Sequence, residues 1–96
     1  MMTTIKNTME TVLNGNANNA RCTRHTSTVE ETAYMYDIKK FLQESGAKLY
    51  DVEFYDDVTE VNFTLKSGEG EFTIIVEVET NNNNEVYSFR IFRHKD

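Results

Sequence analysis

The chain has 96 residues, with 16 Asp and Glu against 10 Lys and Arg, and a formal charge of -6. That length holds one small domain and excludes a doubly wound nucleotide-binding fold or a barrel enzyme. A single Cys excludes an intramolecular disulfide framework, and no apolar run approaches the roughly 18 residues of a membrane span or forms a signal-peptide core, so a cytoplasmic protein is expected.

The charge is placed unevenly. Residues 1–26 hold Glu10 against Lys6, Arg21 and Arg24, whereas residues 51–85 hold ten acids and only Lys66. The sign reverses again at Arg90, Arg93 and Lys95. Such asymmetry bears on solubility and partner choice rather than on fold.

In chain order, residues 3–14 read as a short amphipathic helix with Ile5, Met9, Val12 and Leu13 on one face and Gly15 where it stops. So short a helix is marginal alone in water and must dock or fray. The Asn-rich stretch 14–26 shows no periodicity and reads as a linker or flexible arm. A stronger helix is expected over about 28–45. Ser27 and Glu30 form a capping box, Tyr34, Ile38, Phe41 and Leu42 share a face flanked by Ala33 and Met35, and Gly46 supplies the left-handed stop.

From Lys48 the period becomes two. Strands are expected over 48–55, 58–66, 71–80 and 85–93, joined by Asp56-Asp57, by Ser67–Gly70 and by Asn81–Asn84. Matching apolar parity sets the first hairpin with Phe54 opposite Thr59, Val52 opposite Val61 and Tyr50 opposite Phe63. The second pairs Leu65 with Phe72, Phe63 with Ile74 and Val61 with Val76; the third pairs Val78 with Tyr87, Val76 with Phe89 and Ile74 with Ile91. One face then holds Tyr50, Val52, Phe54, Val61, Phe63, Leu65, Phe72, Ile74, Val76, Val78, Tyr87, Phe89 and Ile91. The expected fold is α+β: one main helix packed on a four-stranded antiparallel β-meander, preceded by a short N-terminal helix and an Asn-rich linker, with 1–26 as helix plus arm and 27–96 as the α+β domain.

The opposite face carries the row Glu53, Glu60, Glu77 and Ser88, beside a row of Asp51, Asn62, Ile75 and Arg90, with Glu79 opposite Val86. Like charges facing each other cost a few tenths of a kcal/mol per pair, on the order of 0.2–1. Three readings account for that row: a solvated face, an acidic docking patch for a cationic protein, or a carboxylate metal site, which a flat sheet organises poorly. Cys22 and His25, with His94, leave a zinc site one ligand short, and Cys–His catalysis lacks an orienting group, so no metal, cofactor or catalytic residue is assigned. Tyr36, Tyr55 and Phe92 point away from the core face, either as interface aromatics or beneath the N-terminal segment.

The function expected is stoichiometric binding without catalysis. Asp51, Glu53, Asp56, Asp57, Glu60, Glu77 and Glu79 are the expected partner-binding residues, facing a basic groove on a larger protein such as a nuclease. By size and charge alone the chain suits a phage or mobile-element inhibitor of a nucleic-acid enzyme, of the anti-CRISPR or anti-restriction kind, with no direct contact to nucleic acid, which so acidic a surface repels. The alternatives are a structural or regulatory homodimer, joined through the last strand or an exchanged N-terminal helix, and a small Cys22/His25 enzyme.

Overall fold

A computed structural model of the chain describes residues 2–23, 31–80 and 86–95. The elements are α1 (Met2–Leu13), β1 (Asn19–Thr23), α2 (Glu31–Glu44), β2 (Lys48–Phe54), β3 (Val58–Ser67), β4 (Gly70–Thr80) and β5 (Val86–Lys95). All strands join one antiparallel sheet in the order β1-β5-β4-β3-β2. The expected main helix on a four-stranded meander is therefore corrected: the described residues are mostly sheet, with five strands and two helices. The capping box of Ser27 and Glu30, His25, and the Asn81–Asn84 loop lie outside the described residues.

The added strand comes from the Asn-rich stretch. Asn-Ala-Arg-Cys-Thr has no apolar alternation, so its strand conformation is set by tertiary pairing rather than by local preference. Its partner is β5, with Ala20 opposite Ile91 and Arg21 opposite Arg90. As a result β5 is an interior strand, and the expected dimer through the last strand has no open edge to use.

Two glycines make the helices stop where they do. Asn16 N–H donates to Thr11 C=O at 3.0 Å and Gly15 N–H to Val12 C=O at 3.1 Å, the paired bonds of a Schellman turn. The same pattern closes α2, where Ala47 N–H reaches Leu42 C=O at 3.0 Å and Gly46 N–H reaches Gln43 C=O at 3.1 Å. Gly15 and Gly46 sit at φ of 79° and 98°, a region side chains with a Cβ rarely enter. The first turn points the chain back along the sheet so that α1 lies over β1 and β5, while α2 lies against β2.

Both helices thus share the cover of one sheet face. Met9 and Val12 of α1 and Ile38 and Leu42 of α2 are fully buried against Val61, Phe63, Ile74, Val76, Val78, Phe89 and Ile91. Burying a large aliphatic or aromatic side chain contributes roughly 1.5–3 kcal/mol, so α1 gains from docking the stability its 12 residues lack alone.

The β3–β4 register is the expected one along its whole length, with Leu65 opposite Phe72, Phe63 opposite Ile74 and Val61 opposite Val76. The β4–β5 register differs by two residues: Val78 faces Phe89, Val76 faces Ile91 and Glu77 faces Arg90. A shift of two preserves which face each side chain occupies, so burial does not distinguish the two pairings. The outer face does. The observed register joins Glu77 to Arg90 at 3.3 Å and sets Ile75 opposite Phe92, whereas the expected one places Arg90 opposite Ile75. Arg90 also lies over the Phe92 ring at 4.5 Å.

In β2 the register shifts between Leu49 and Asp51, so Leu49 rather than Tyr50 faces Phe63. Tyr50 occupies the bulge and leaves the core, 75% exposed. Val52 is half-buried on the inner face, but Phe54 is 77% exposed although it faces Thr59 as expected, because the helices do not reach that end of β2.

Gly15 and Gly46 are predicted to respond differently to substitution by Ala. A Cβ at Gly46 meets nothing within 4 Å, so only the positive φ is penalised, by about 1 kcal/mol. A Cβ at Gly15 collides with the Arg93 guanidinium, which is held under Phe72. Urea unfolding of Gly15→Ala is expected to show a loss of about 2–3 kcal/mol; equal losses at the two sites would contradict the close packing of Arg93 on the end of α1.

Candidate functional site: an acidic corner beside an open strand edge

Residues 49–65 contain no Lys or Arg, and they form β2, the following turn and most of β3. Tyr55 N–H donates to Val58 C=O at 2.8 Å, which closes the hairpin around Asp56-Asp57 as the expected two-residue turn. Thr80 N–H donates to Asp57 C=O at 2.9 Å and ties that turn to the end of β4. Glu79, opposite Val58, lies in the next row.

The seven acids named from sequence therefore gather at one end of the sheet. Glu53 faces Glu60, and Glu60 faces Glu77, in a row across the outer face. Asp51 stands one row along, opposite Asn62. Asp51, Glu53, Asp56 and Asp57 are exposed, while Glu60, Glu77 and Glu79 are half-buried. The row ends on Arg90 rather than on Ser88, so Glu77 is neutralised within the fold by a partly exposed ion pair worth about 1 kcal/mol or less. Among the described residues no ion pair reaches Glu53 or Glu60, at the β2–β3 end of the row.

Tyr55 registers that field. Its hydroxyl donates to Glu53 Oε2. This hydrogen bond, followed by the charge of Glu53 itself, raises the phenol above its ordinary value of 10.0; slight burial and the charges of Glu60 and Asp51 push the same way. Each cause favours the neutral phenol, since ionisation would place another negative charge in the corner.

Aromatic and aliphatic side chains interleave with the acids. Leu49 is 42%, Tyr50 75%, Phe54 77% and Tyr55 56% exposed on β2 and its turn, and Tyr36 of α2 is 65% exposed. Of the aromatics expected away from the core, Tyr36 and Tyr55 are open to solvent and Phe92 is half-buried beneath Arg90. Tyr50 and Phe54, placed in the core by alternation, are exposed instead, Tyr50 in the bulge and Phe54 on the helix-bearing side of β2, across the strand from the acids. A bulge signal would have moved Tyr50, but no Gly or Pro marks one in Lys-Leu-Tyr-Asp-Val-Glu-Phe.

The basic end of β5 is arranged differently. The Arg93 side chain is buried, 3.7 Å from the Phe72 ring centroid and 3.6 Å from Glu69, beside an open cleft of about 410 Å³ that Asn18, His94 and Lys95 also line. Cys22 takes the place in β1 opposite Phe89. Among the described residues no three His, Cys, Asp or Glu side chains converge as metal ligands, and no helix is long and apolar enough to cross a membrane.

Comparison with known proteins finds no matching family model, curated protein or solved structure.

The phenol offers a direct probe of the corner. In a pH titration followed by tyrosinate absorbance, Tyr55 is predicted to ionise above the ordinary phenol range and to move back down in Glu53→Gln, which removes the charge and weakens the acceptor. A Tyr55 titration unchanged by that substitution would contradict the arrangement.

Proposed function

We propose that this chain is a stoichiometric protein-binding module whose acidic corner engages a cationic surface on a larger protein. The observation that supports this reading most is the composition of the corner. Asp51, Glu53, Asp56 and Asp57 are exposed there, interleaved with Tyr50, Phe54 and Tyr55, and no base lies between Leu49 and Leu65. Exposed aromatics supply contact area at low entropic cost, and the acids supply long-range attraction and choice of partner. The finer reading is an inhibitor of a nucleic-acid-handling enzyme, acting in the cytoplasm by occupying Lys and Arg side chains that otherwise hold phosphates. No catalysis, cofactor or metal enters this reading.

A second reading, a structural or regulatory homodimer, is favoured by the outer edge of β2, with which no described strand pairs. Salt separates the two. Docking through exposed acids weakens steeply as the screening length falls from about 10 Å at 0.1 M to about 3 Å at 1 M, whereas an apolar dimer does not.

The immobilised chain is expected to retain a cationic protein from a bacterial lysate at low salt and release it at high salt. Glu53→Lys with Glu60→Lys should abolish retention, while Glu10→Lys with Glu44→Lys, the same charge change on the helices, should preserve most of it. Retention by the sheet variant, or equal loss in both variants with the fold intact by circular dichroism, would contradict the proposal.

A further inference from the structure

The edge of β2 has a definite hydrogen-bonding phase. In an antiparallel ladder, alternate residues turn their N–H and C=O toward the neighbouring strand and away from it. Tyr55 N–H is spent on Val58, so Phe54 and Val52 turn theirs outward, where no described strand pairs with them. Val52 N–H is instead taken by its neighbour's side chain, at 2.9 Å from Asp51 Oδ1. The side chains sort by face as well. Asp51 and Glu53 lie on the outer face, while Leu49, Val52 and Phe54 lie on the helix-bearing face, with Leu49 and Phe54 exposed.

We propose that the partner adds a short strand to this edge, and that the added segment alternates cationic and apolar residues. This rests on the protein-binding reading above and names its mode and the partner's chemistry. A strand beside β2 places every second side chain on each face. Its outer-face residues meet Asp51 and Glu53, and its inner-face residues cover Val52 and Phe54. Residues two apart are about 6.7 Å apart along both strands, so Lys or Arg at alternate positions matches the two carboxylates in step. The bulge at Tyr50 ends the regular edge, so the docked segment spans about five residues opposite 51–55.

Asp51 distinguishes the occupant. While its carboxylate holds Val52 N–H, the edge lacks one of its outward donors, a blunting of the kind that keeps edge strands from pairing indiscriminately. An incoming Lys or Arg draws the carboxylate to itself and frees that N–H for the new strand's carbonyl. A second copy of this chain does the opposite. It carries a charge of -6 and brings its own Asp51, Glu53 and Asp56-Asp57 turn to the junction.

The probe is a capped five-residue peptide, Lys-Val-Lys-Val-Lys, titrated into the full-length labelled chain at 0.1 M salt and followed by amide NMR. Binding should shift the Val52 and Phe54 amide protons downfield and slow their exchange. The same peptide N-methylated at both Val residues keeps its charge but loses its donors toward β2, and should bind at least about tenfold more weakly. Equal affinity of the N-methylated peptide, or shifts confined to Glu60 and Glu77, would overturn strand addition while leaving the acidic-docking reading in place. No binding of any of these cationic peptides at low salt would overturn both. A dimeric free chain whose Val52 and Phe54 amides are already protected would show that a second copy holds the edge, and would likewise overturn the proposal.

Discussion

Side chains along β3, β4 and β5 must alternate between two faces, and only one of those faces is covered. Val61, Phe63, Ile74, Val76, Val78, Phe89 and Ile91 go beneath α1 and α2, so Glu60, Asn62, Ile75, Glu77 and Arg90 go to the other side. The helices cannot be moved to protect the outer face without uncovering the core. The charges of β3 and β4 are therefore concentrated on one surface, set by whatever the outward-facing positions carry, while Thr59 and Arg93 fall on the covered face. The cover also has a limited reach. Two helices of 12 and 14 residues lie over a five-stranded sheet, and the far end of β2 remains outside them. The exposed Phe54 and the acidic corner share that geometric origin.

Parity explains what alternation reveals and what it leaves open. The β3–β4 hairpin was legible in full because its connection is tight, with Ser67 facing Gly70, so only one register satisfies both burial and turn. The β4–β5 connection is longer, and a two-residue shift keeps every apolar side chain inside. The choice then falls to weaker forces on the outer face, where the ion pair of Glu77 with Arg90 and the contact of Ile75 with Phe92 distinguish the pairings. β1 was illegible for a different reason. Its five residues carry no pattern, and they become a strand because β5 offers an open edge and the turn at Gly15 delivers the chain to it.

The acids of the candidate site were legible one by one, since each residue's parity places it on the outer face or in the turn. Their inequality was not. Glu77 is neutralised by Arg90 only in the shifted register, which moves the weight of the negative surface toward Glu53, Glu60, Asp51 and the turn. Strict alternation misplaces the exposed aromatics of β2. Tyr50 leaves the core through a bulge, and Phe54 keeps its expected pairing but lies past the end of the helical cover. Burial depends on what lies above a strand as well as on which way its side chains point.

β1 covers the side of β5, whereas no described strand covers the outer side of β2, and it is this uncovered side that the proposed docking uses. Amide hydrogen exchange tests that asymmetry most directly. In the free chain the amides of Phe89, Ile91 and Arg93 should be protected as strongly as those of β4, because β5 is hydrogen-bonded on both sides and Arg93 N–H donates to Asn18 C=O at 2.7 Å. The amide of Phe54, turned outward from β2, should exchange far faster. Rapid exchange along β5 together with protection at Phe54 would contradict the account.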